Sequence, residues 1–160
     1  MDIVIDPPRG VAPVLIGMPF EQALEAGKTW GEPNVSGPYA HDPTVKIVFA
    51  DEENEFEIVV HLEDGKTVTA VELWRFRRED ADVRVLDGDL DIFRTPAREV
   101  LDHLASQGCD LDLSDLEEPV ALGLTLAFTR DTGREVPRDP QDGHTLYFES
   151  VLVGDATYYT

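Results

Sequence analysis

The two halves of this 160-residue sequence align with each other at a single shift of 77 residues. At this shift Pro19 falls on Pro96, and a stretch with the apolar spacing of a short helix follows each proline. Farther along, Val71 falls on Phe148 and Glu72 falls on Glu149. One shift that aligns both a helix start and a distant strand indicates an internal duplication.

The local patterns predict the same order of elements in both halves. Proline in a first helical turn and glycine just beyond a last turn are typical of helix boundaries. In the first half we predict a helix from Pro19 to Gly27, a loop over residues 31–43, and strands at Val45–Phe49, Phe56–Leu62 and Thr67–Phe76. In the second half we predict a helix from an N-cap at Thr95 to Gly108, an acidic loop over 110–118, a loop over 131–143, and strands at Val120–Phe128, Thr145–Val153 and Thr157–Tyr159.

These elements predict an α+β fold made of two tandem repeats, each a short helix plus an antiparallel β-meander. The first repeat is predicted to span residues 1–82 and the second residues 83–160. A unit this small cannot cover both sides of its apolar layer, so we expect the two repeats to pack as one globular unit. The charged segment 75–82, at the end of the first repeat, is predicted to be solvated.

The charge of the chain restricts the partners that it can bind. The 33 acidic residues outnumber the 13 Lys and Arg, which gives a formal charge of −20, and the acids are spread over both halves. Such a field repels phosphate and anionic lipid, so we expect neither nucleic-acid nor membrane binding. The charge can serve solubility, or it can attract a basic protein partner. The opening MDIVIDPPRG has no basic start and no long apolar run, so we expect no signal peptide and a cytoplasmic location.

No motif in the sequence predicts catalysis, a metal site or a cofactor. The lone Cys109 excludes a disulfide framework and a cysteine-based zinc site. The alternating aspartates of residues 87–91 resemble a calcium loop, but such a loop needs Gly at its sixth position and Glu at its twelfth, where Ile92 and Arg98 stand. A G-x-S-x-G elbow and a glycine-rich phosphate loop are also absent from the sequence. We therefore predict a binding protein without metal or cofactor, and not an enzyme.

The acids and one aromatic residue are the candidate partner-binding groups. We expect one acidic patch that joins the turn between two strands to the loop after the second helix, formed by Asp51, Glu52, Glu53, Glu55, Asp110, Asp112 and Asp115. Trp74 alternates with Phe76 on a predicted strand. If one face of the sheet is open, Trp74 is an interface anchor beside these acids; otherwise it belongs to the core.

The start of the chain carries a resemblance to known proteins. The segment Gly10-Val11-Ala12-Pro13-Val14-Leu15-Ile16-Gly17-Met18, followed by a helix and Gly31-Glu32-Pro33, resembles the beginning of small bacterial proteins in mostly uncharacterised families. The layout of helix and meander, given twice, is similar to beta-lactamase inhibitory protein and the related outer-membrane assembly lipoproteins. The resemblance implies a protein-binding module, with relatives that act as immunity proteins against toxins.

We therefore predict an immunity or inhibitor protein that neutralises a basic partner, such as a nuclease toxin, by presenting carboxylates. The alternative is a small-ligand-binding protein or an enzyme with a cleft between the two repeats. A deep cleft with converging polar groups would favour the alternative, and an acidic face with exposed aromatic residues would favour the first reading. The oligomeric state is not predicted by any feature of the sequence.

Overall fold

A computed structural model of the chain describes residues 1–155, which form a mixed α+β fold that is mostly β-sheet. The predicted strand Thr157–Tyr159 lies outside the described residues. In chain order the strands are β1 Asp2–Asp6, β2 Gly10–Val11, β3 Val14–Leu15, β4 Glu32–Ser36, β5 Val45–Asp51, β6 Phe56–Leu62, β7 Ala70–Trp74, β8 Arg84–Asp87, β9 Leu90–Asp91, β10 Leu111–Asp112, β11 Val120–Ala121, β12 Leu126–Thr129 and β13 Ser150–Gly154. The two α-helices are α1 Phe20–Ala26 and α2 Ala97–Ser106.

The larger sheet has eight strands in the order β10-β11-β12-β13-β7-β6-β5-β4, and every neighbouring pair is antiparallel. Its central pair is β7 with β13, in which Val71 lies opposite Val153 and Leu73 opposite Val151. Outward from β7 the strands are β6, β5 and β4, and outward from β13 they are β12, β11 and β10. The sheet therefore has the same outward order on both sides of its centre.

One face of the larger sheet forms the core. Because successive side chains of a strand point to opposite faces, Ile47 and Phe49 of β5 and Ile58 of β6 are buried while Lys46 and Glu57 are exposed. The ring of Trp30, after α1, meets that of Phe49 edge to face with centroids 5.7 Å apart. A Cβ on Gly27 would lie 2.2 Å from the Phe49 ring, so only glycine lets this turn approach the sheet.

The remaining elements pack on the same face. α2 buries Ala97, Val100 and Leu104 in the cluster that contains the core residues of the sheet. The smaller sheet, in the order β3-β2-β1-β8-β9, adds Ile3 and Val85 to that cluster. Within residues 1–155, no helix or strand packs on the other face of the larger sheet.

Several strand predictions are confirmed and others need correction. β6 has the predicted bounds, and β5 and β7 lie at the predicted places. The predicted loop 31–43 contains β4, because an edge strand has one neighbour only and so tolerates Pro33. The predicted strand Val120–Phe128 is interrupted by a 3₁₀ turn at Leu122–Leu124, and the predicted strand Thr145–Val153 begins only at Ser150.

The boundaries of α2 and the segment after β7 also differ from the predictions. The N-cap of α2 is Pro96, not Thr95, and no side chain caps the helix. The segment 75–82, predicted to be solvated, contains three buried residues, Arg75, Phe76 and Ala81. Arg75 is buried because its guanidinium group lies 4.7 Å from the centre of the Phe76 ring and donates from Nε to the carbonyl of Phe93 at 3.0 Å.

Candidate functional site

The face of the larger sheet that carries no helix is the first candidate site, and we call it the uncovered face. A row of directly opposed residues crosses it from β4 to β11: Asn34, Val48, Val59, Glu72, Leu152, Ala127 and Val120. Glu72 thus stands at the middle of the row with apolar neighbours on both sides. Only 18% of its side chain is exposed.

Two side chains donate to the Glu72 carboxylate. The Nε1 atom of Trp74 lies 3.2 Å from Oε1 of Glu72, and Nε2 of His61 lies 3.3 Å from the same oxygen. His61 reaches it from the neighbouring strand β6. Among the described residues no Lys or Arg lies within 4.0 Å of the Glu72 carboxylate. Glu72 is therefore a half-buried acid that is hydrogen-bonded by Trp74 and His61 but has no Lys or Arg against it among the described residues.

Trp74 lies on the uncovered face and is half-buried. The sequence left open whether Trp74 belongs to the core or to an open face of the sheet, and the structure places it on the open face. Its ring is covered on one side by the guanidinium of Arg134, whose carbon lies 5.3 Å from the ring centre. This contact joins the uncovered face to a second site at the end of the sheet.

The second candidate site is a cleft of about 570 Å³ where β7 ends, which we call the arginine cleft. One wall is formed by residues 75–77 and the other by residues 132–136, so it lies between the two halves of the chain. Two acids, Glu55 and Glu135, also line it. Arg75, Arg77 and Arg134 all line it. A shallower depression continues from it past the turn between β5 and β6. Three arginines in one cleft are unexpected in a chain of charge −20.

A buried acid holds one wall of the arginine cleft in place. The Glu149 side chain is fully buried, and its Oε1 accepts from the backbone N–H of Thr132 at 3.2 Å. The hydroxyl of Thr132 donates to the same carboxylate. Because Thr132 lies two residues before Arg134, these bonds fix the loop that presents the Arg134 side chain to the cleft.

The predicted acidic patch is not one patch. Asp51, Glu52, Glu53 and Glu55 occupy the turn between β5 and β6, where three of them line the shallower depression beside the arginine cleft. β10 lies six strand positions away from β5, about 29 Å at the usual strand spacing. The second set of acids, on and around β10, therefore belongs to the other side of the sheet: Asp110, Asp112 and Asp115.

The acids near β10 stabilise their own loop. Oδ1 of Asp112 accepts from the backbone N–H of Ser114 at 3.0 Å and from its hydroxyl at 2.7 Å, and these bonds lower the pKa of Asp112. Oδ1 of Asp115 accepts from the N–H of Glu117 at 2.9 Å. The prediction of one joined patch was wrong because the two sets of acids belong to strands that are six positions apart in the sheet, an order that the sequence of the acids does not show.

A cluster of potential metal ligands, Glu117, Asp131 and His144, lies in the same region. The ligand atoms are within 4.8 Å of one another. However, Oδ2 of Asp131 is 2.6 Å from Nδ1 of His144, and Oδ1 accepts from the Thr145 N–H at 2.9 Å and from Arg138 at 3.2 Å. A cation would have to replace these bonds beside a guanidinium group. The cluster is therefore arranged as a loop-fixing network, and the predicted absence of a metal stays a prediction.

No family model, curated protein or solved structure matches this chain. None of the helices in residues 1–155 has the length and apolar character needed to cross a membrane.

The sequence-based reasoning missed most residues of both sites. The sequence indicated only that Glu72 and Glu149 align at the 77-residue shift, and it gave neither of them a role. Arg134 was only one charged residue of a predicted loop. The period-2 pattern around Glu72 could have placed it beside Trp74, two residues away on the same face of β7. Nothing local to Arg134 indicates the cleft, because the opposite wall is formed by residues 75–77.

Proposed function

We propose that the chain is a protein-binding module that takes a basic partner on the uncovered face of its larger sheet. The observation that carries the proposal is Glu72, a half-buried carboxylate at the centre of that face with no Lys or Arg against it in the described part of the chain. Trp74, half-exposed two residues along the same face of β7, supplies apolar contact area beside it. An acid surrounded by apolar side chains is the arrangement that receives an Arg or Lys anchor in protein interfaces.

Charge complementarity supports the choice of a basic partner over a second copy of this chain. A second copy would bring another formal charge of −20 to the same face, and like charges oppose encounter. A basic protein would be steered toward the sheet by the field of the whole molecule. The exposed acids Glu52 and Glu53, in the turn at one end of the face, would act at the rim of such an interface.

More specifically, we propose that the chain is an immunity or inhibitor protein of the cytoplasm whose partner is a toxin. Binding and not catalysis is the proposed activity. The partner's anchor would replace no bond of Glu72, because a carboxylate has about four lone-pair positions and Trp74 and His61 occupy two of them at most. Asp110, Asp112 and Asp115 stay predicted contacts, but as a second region separate from the turn at Glu52 and Glu53.

We also infer that the sheet is built from two copies of one unit. The outward strand order is the same on both sides of the central pair β7–β13. Both helices begin after a proline, at Phe20 and Ala97, which are 77 residues apart. An experimentally determined structure in which residues 15–76 and 92–153 superpose with the same strand order would support the duplication, and different strand orders would contradict it.

The test of the binding proposal is capture of a partner with matched variants of one residue type. Wild-type chain, Glu72→Gln and Glu21→Gln are immobilised and exposed to an extract of the source cells. Glu21 is an exposed acid of α1, so its variant removes the same charge away from the uncovered face. The proposal expects a basic protein that binds wild type and Glu21→Gln and is lost with Glu72→Gln. A partner that binds all three equally would contradict it.

A further inference from the structure

The arginine cleft collects the two arginines that have no acidic partner within residues 1–155. Eight of the ten arginines have a carboxylate oxygen within 4.0 Å. Within residues 1–155 the two exceptions are Arg77 and Arg134, and both line the cleft. The chain has 33 acids for 13 basic residues, so a shortage of acids does not explain why these two arginines are unpaired. Their position is therefore the feature that needs an explanation.

Arg134 is held in place by its neighbours but keeps free donors. Its Nη1 donates to the backbone carbonyl of Arg75 at 2.6 Å, and its plane lies over Trp74. No hydrogen bond from Nε or Nη2 of Arg134 is formed in the part of the chain that the structure describes. A guanidinium has five N–H donors in a planar fork that matches a carboxylate or phosphate. The side chain is thus fixed with unused donors.

The electrostatics of the cleft leave room for a negative charge. Burial lowers the pKa of Arg134, and the positive charges of Arg77 and Arg75 lower it further against the opposing charges of Glu149 and Glu57. Arg75 already has its own acid, since both Nη atoms donate to the Glu79 carboxylate. Arg77 is exposed, and among the described residues its guanidinium makes no hydrogen bond, while its backbone N–H donates to the Glu55 carbonyl at 3.1 Å. An anion would relieve the repulsion between the guanidinium groups.

We propose that the arginine cleft binds a small molecule through a carboxylate or phosphate group held between the guanidinium groups of Arg77 and Arg134. A volume of about 570 Å³ lies within the range of small-molecule sites. A polymer such as a nucleic acid is disfavoured, because Asp51, Glu52 and Glu55 line the depression that continues from the cleft and would repel further phosphates. The ligand is therefore a molecule with one such group at this end.

Glu149 is a positioning residue for this site. It does not line the cleft, but it holds Thr132 and so the loop that carries Arg134. The cleft and the uncovered face use different residues, apart from the Arg134–Trp74 contact, so loss of ligand binding and loss of partner binding can be observed separately.

The test is a titration of the full chain with inorganic phosphate and, separately, with acetate, followed by NMR of the arginine Nε–H groups. Ionic strength is held constant with sodium chloride, because added salt alone screens the acids of this chain. We expect saturable shifts of the Arg77 and Arg134 signals, which are assigned by their loss in Arg77→Gln and Arg134→Gln. In each of these variants, the remaining arginine signal should report an anion affinity that is at least tenfold weaker. Tighter phosphate binding indicates a phosphorylated ligand, and tighter acetate binding a carboxylic acid.

Arg78→Gln is the matched control, because Arg78 is exposed, next to Arg77 in sequence and paired with Asp80. This variant should leave the midpoints of the phosphate and acetate titrations unchanged. If Arg134→Gln does not fold, Arg77→Gln alone decides, since the Arg77 side chain is exposed and makes no bond to another described residue. Shifts that stay linear with both anions, or an equal weakening by Arg78→Gln, would overturn the proposal.

Discussion

The two sides of the larger sheet are built differently. On the side of β7, strands β5 and β6 are seven residues long, pair along their whole length and fill the core with alternate apolar residues. On the side of β13, strands β10 and β11 have two residues each, and a loop of 20 residues, 130–149, separates β12 from β13. One side is held by long backbone pairing and apolar burial. The other has shorter pairing and apolar contacts such as Phe148 on Phe128, and adds the ionic contacts of a loop.

The loop side shows how a long irregular segment is fixed. Arg130 donates to Asp142 at 3.2 Å, Arg98 of α2 donates to Asp139, and Asp131 accepts from His144. The arginine cleft lies where the two kinds of construction meet, with one wall following β7 and the other in this loop. The regular side thus provides a rigid edge, and the loop side provides the side chain that completes the site.

The largest effect is expected from a core change on the regular side. Phe49→Ala removes a fully buried ring that packs against Trp30 and Gly27. The free energy of unfolding should fall by about 3–5 kcal/mol, because the substitution leaves a cavity in the shared core. Denaturant unfolding followed by circular dichroism measures this loss. A loss below about 1 kcal/mol would mean that β5 does not carry the core.

A smaller and more local effect is expected from the loop side. Arg130→Met removes the bonds from Nε to the Thr145 carbonyl at 2.9 Å and from Nη1 to Asp142. Leaving that carbonyl and carboxylate without their donor should cost about 1–3 kcal/mol. Hydrogen exchange should accelerate in residues 131–146 and stay slow in β5 and β6. Equal acceleration in both regions would contradict the difference between the two sides.

The smallest effect on stability is expected when the pH is lowered. Burial raises the pKa of Asp131, but the hydrogen bonds from His144 and Thr145 outweigh it, so the net pKa is lowered. The hydrogen bond from Arg98 lowers the pKa of Asp139. A carboxyl group with a lowered folded-state pKa stabilises the fold above its unfolded value of about 4, and this contribution is lost as pH falls through the folded value.

Acid should therefore loosen the loop before the regular side of the sheet. Hydrogen exchange measured from pH 6 down to pH 3 should show residues 131–146 losing protection at a higher pH than β5 and β6. Asp139→Asn should reduce this pH dependence. Earlier loss of protection in β5 and β6 would contradict the expectation.

The difference between the two sides also explains how far the sequence could predict the fold. β6 was predicted with its observed bounds because alternating apolar residues and the Asp64-Gly65 turn are local signals. β4 was missed because an edge strand with exposed side chains has no apolar alternation. Arg75 was expected in solvent because arginine is rarely buried unless it is paired. Glu79 is a local partner, but Phe93 and Tyr147 reach Arg75 only through tertiary packing.

The candidate sites were predictable only where a local pattern contained them. The sequence left Trp74 open between the core and an open face, and the structure places it on the open face, while its role as an anchor stays a prediction. The position of Arg134 depends on Glu149 and on the carbonyl of Arg75, which is 59 residues away in sequence. Contacts of this kind have no period and no motif, so the sequence could not indicate the arginine cleft.

The measurement that tests the central claim most directly is the binding kinetics of a captured basic partner with wild-type chain, Glu72→Gln and the double variant Glu52→Lys, Glu53→Lys. The association rate with wild type should fall steeply from low to high salt, because the charge of −20 steers the encounter. The double variant should slow association, and Glu72→Gln should mainly speed release, because rim charges act on encounter and a central anchor on residence. Two results together would contradict binding of a basic partner on the uncovered face. They are an association rate that changes neither with salt nor in the double variant, and a release rate that Glu72→Gln leaves unchanged.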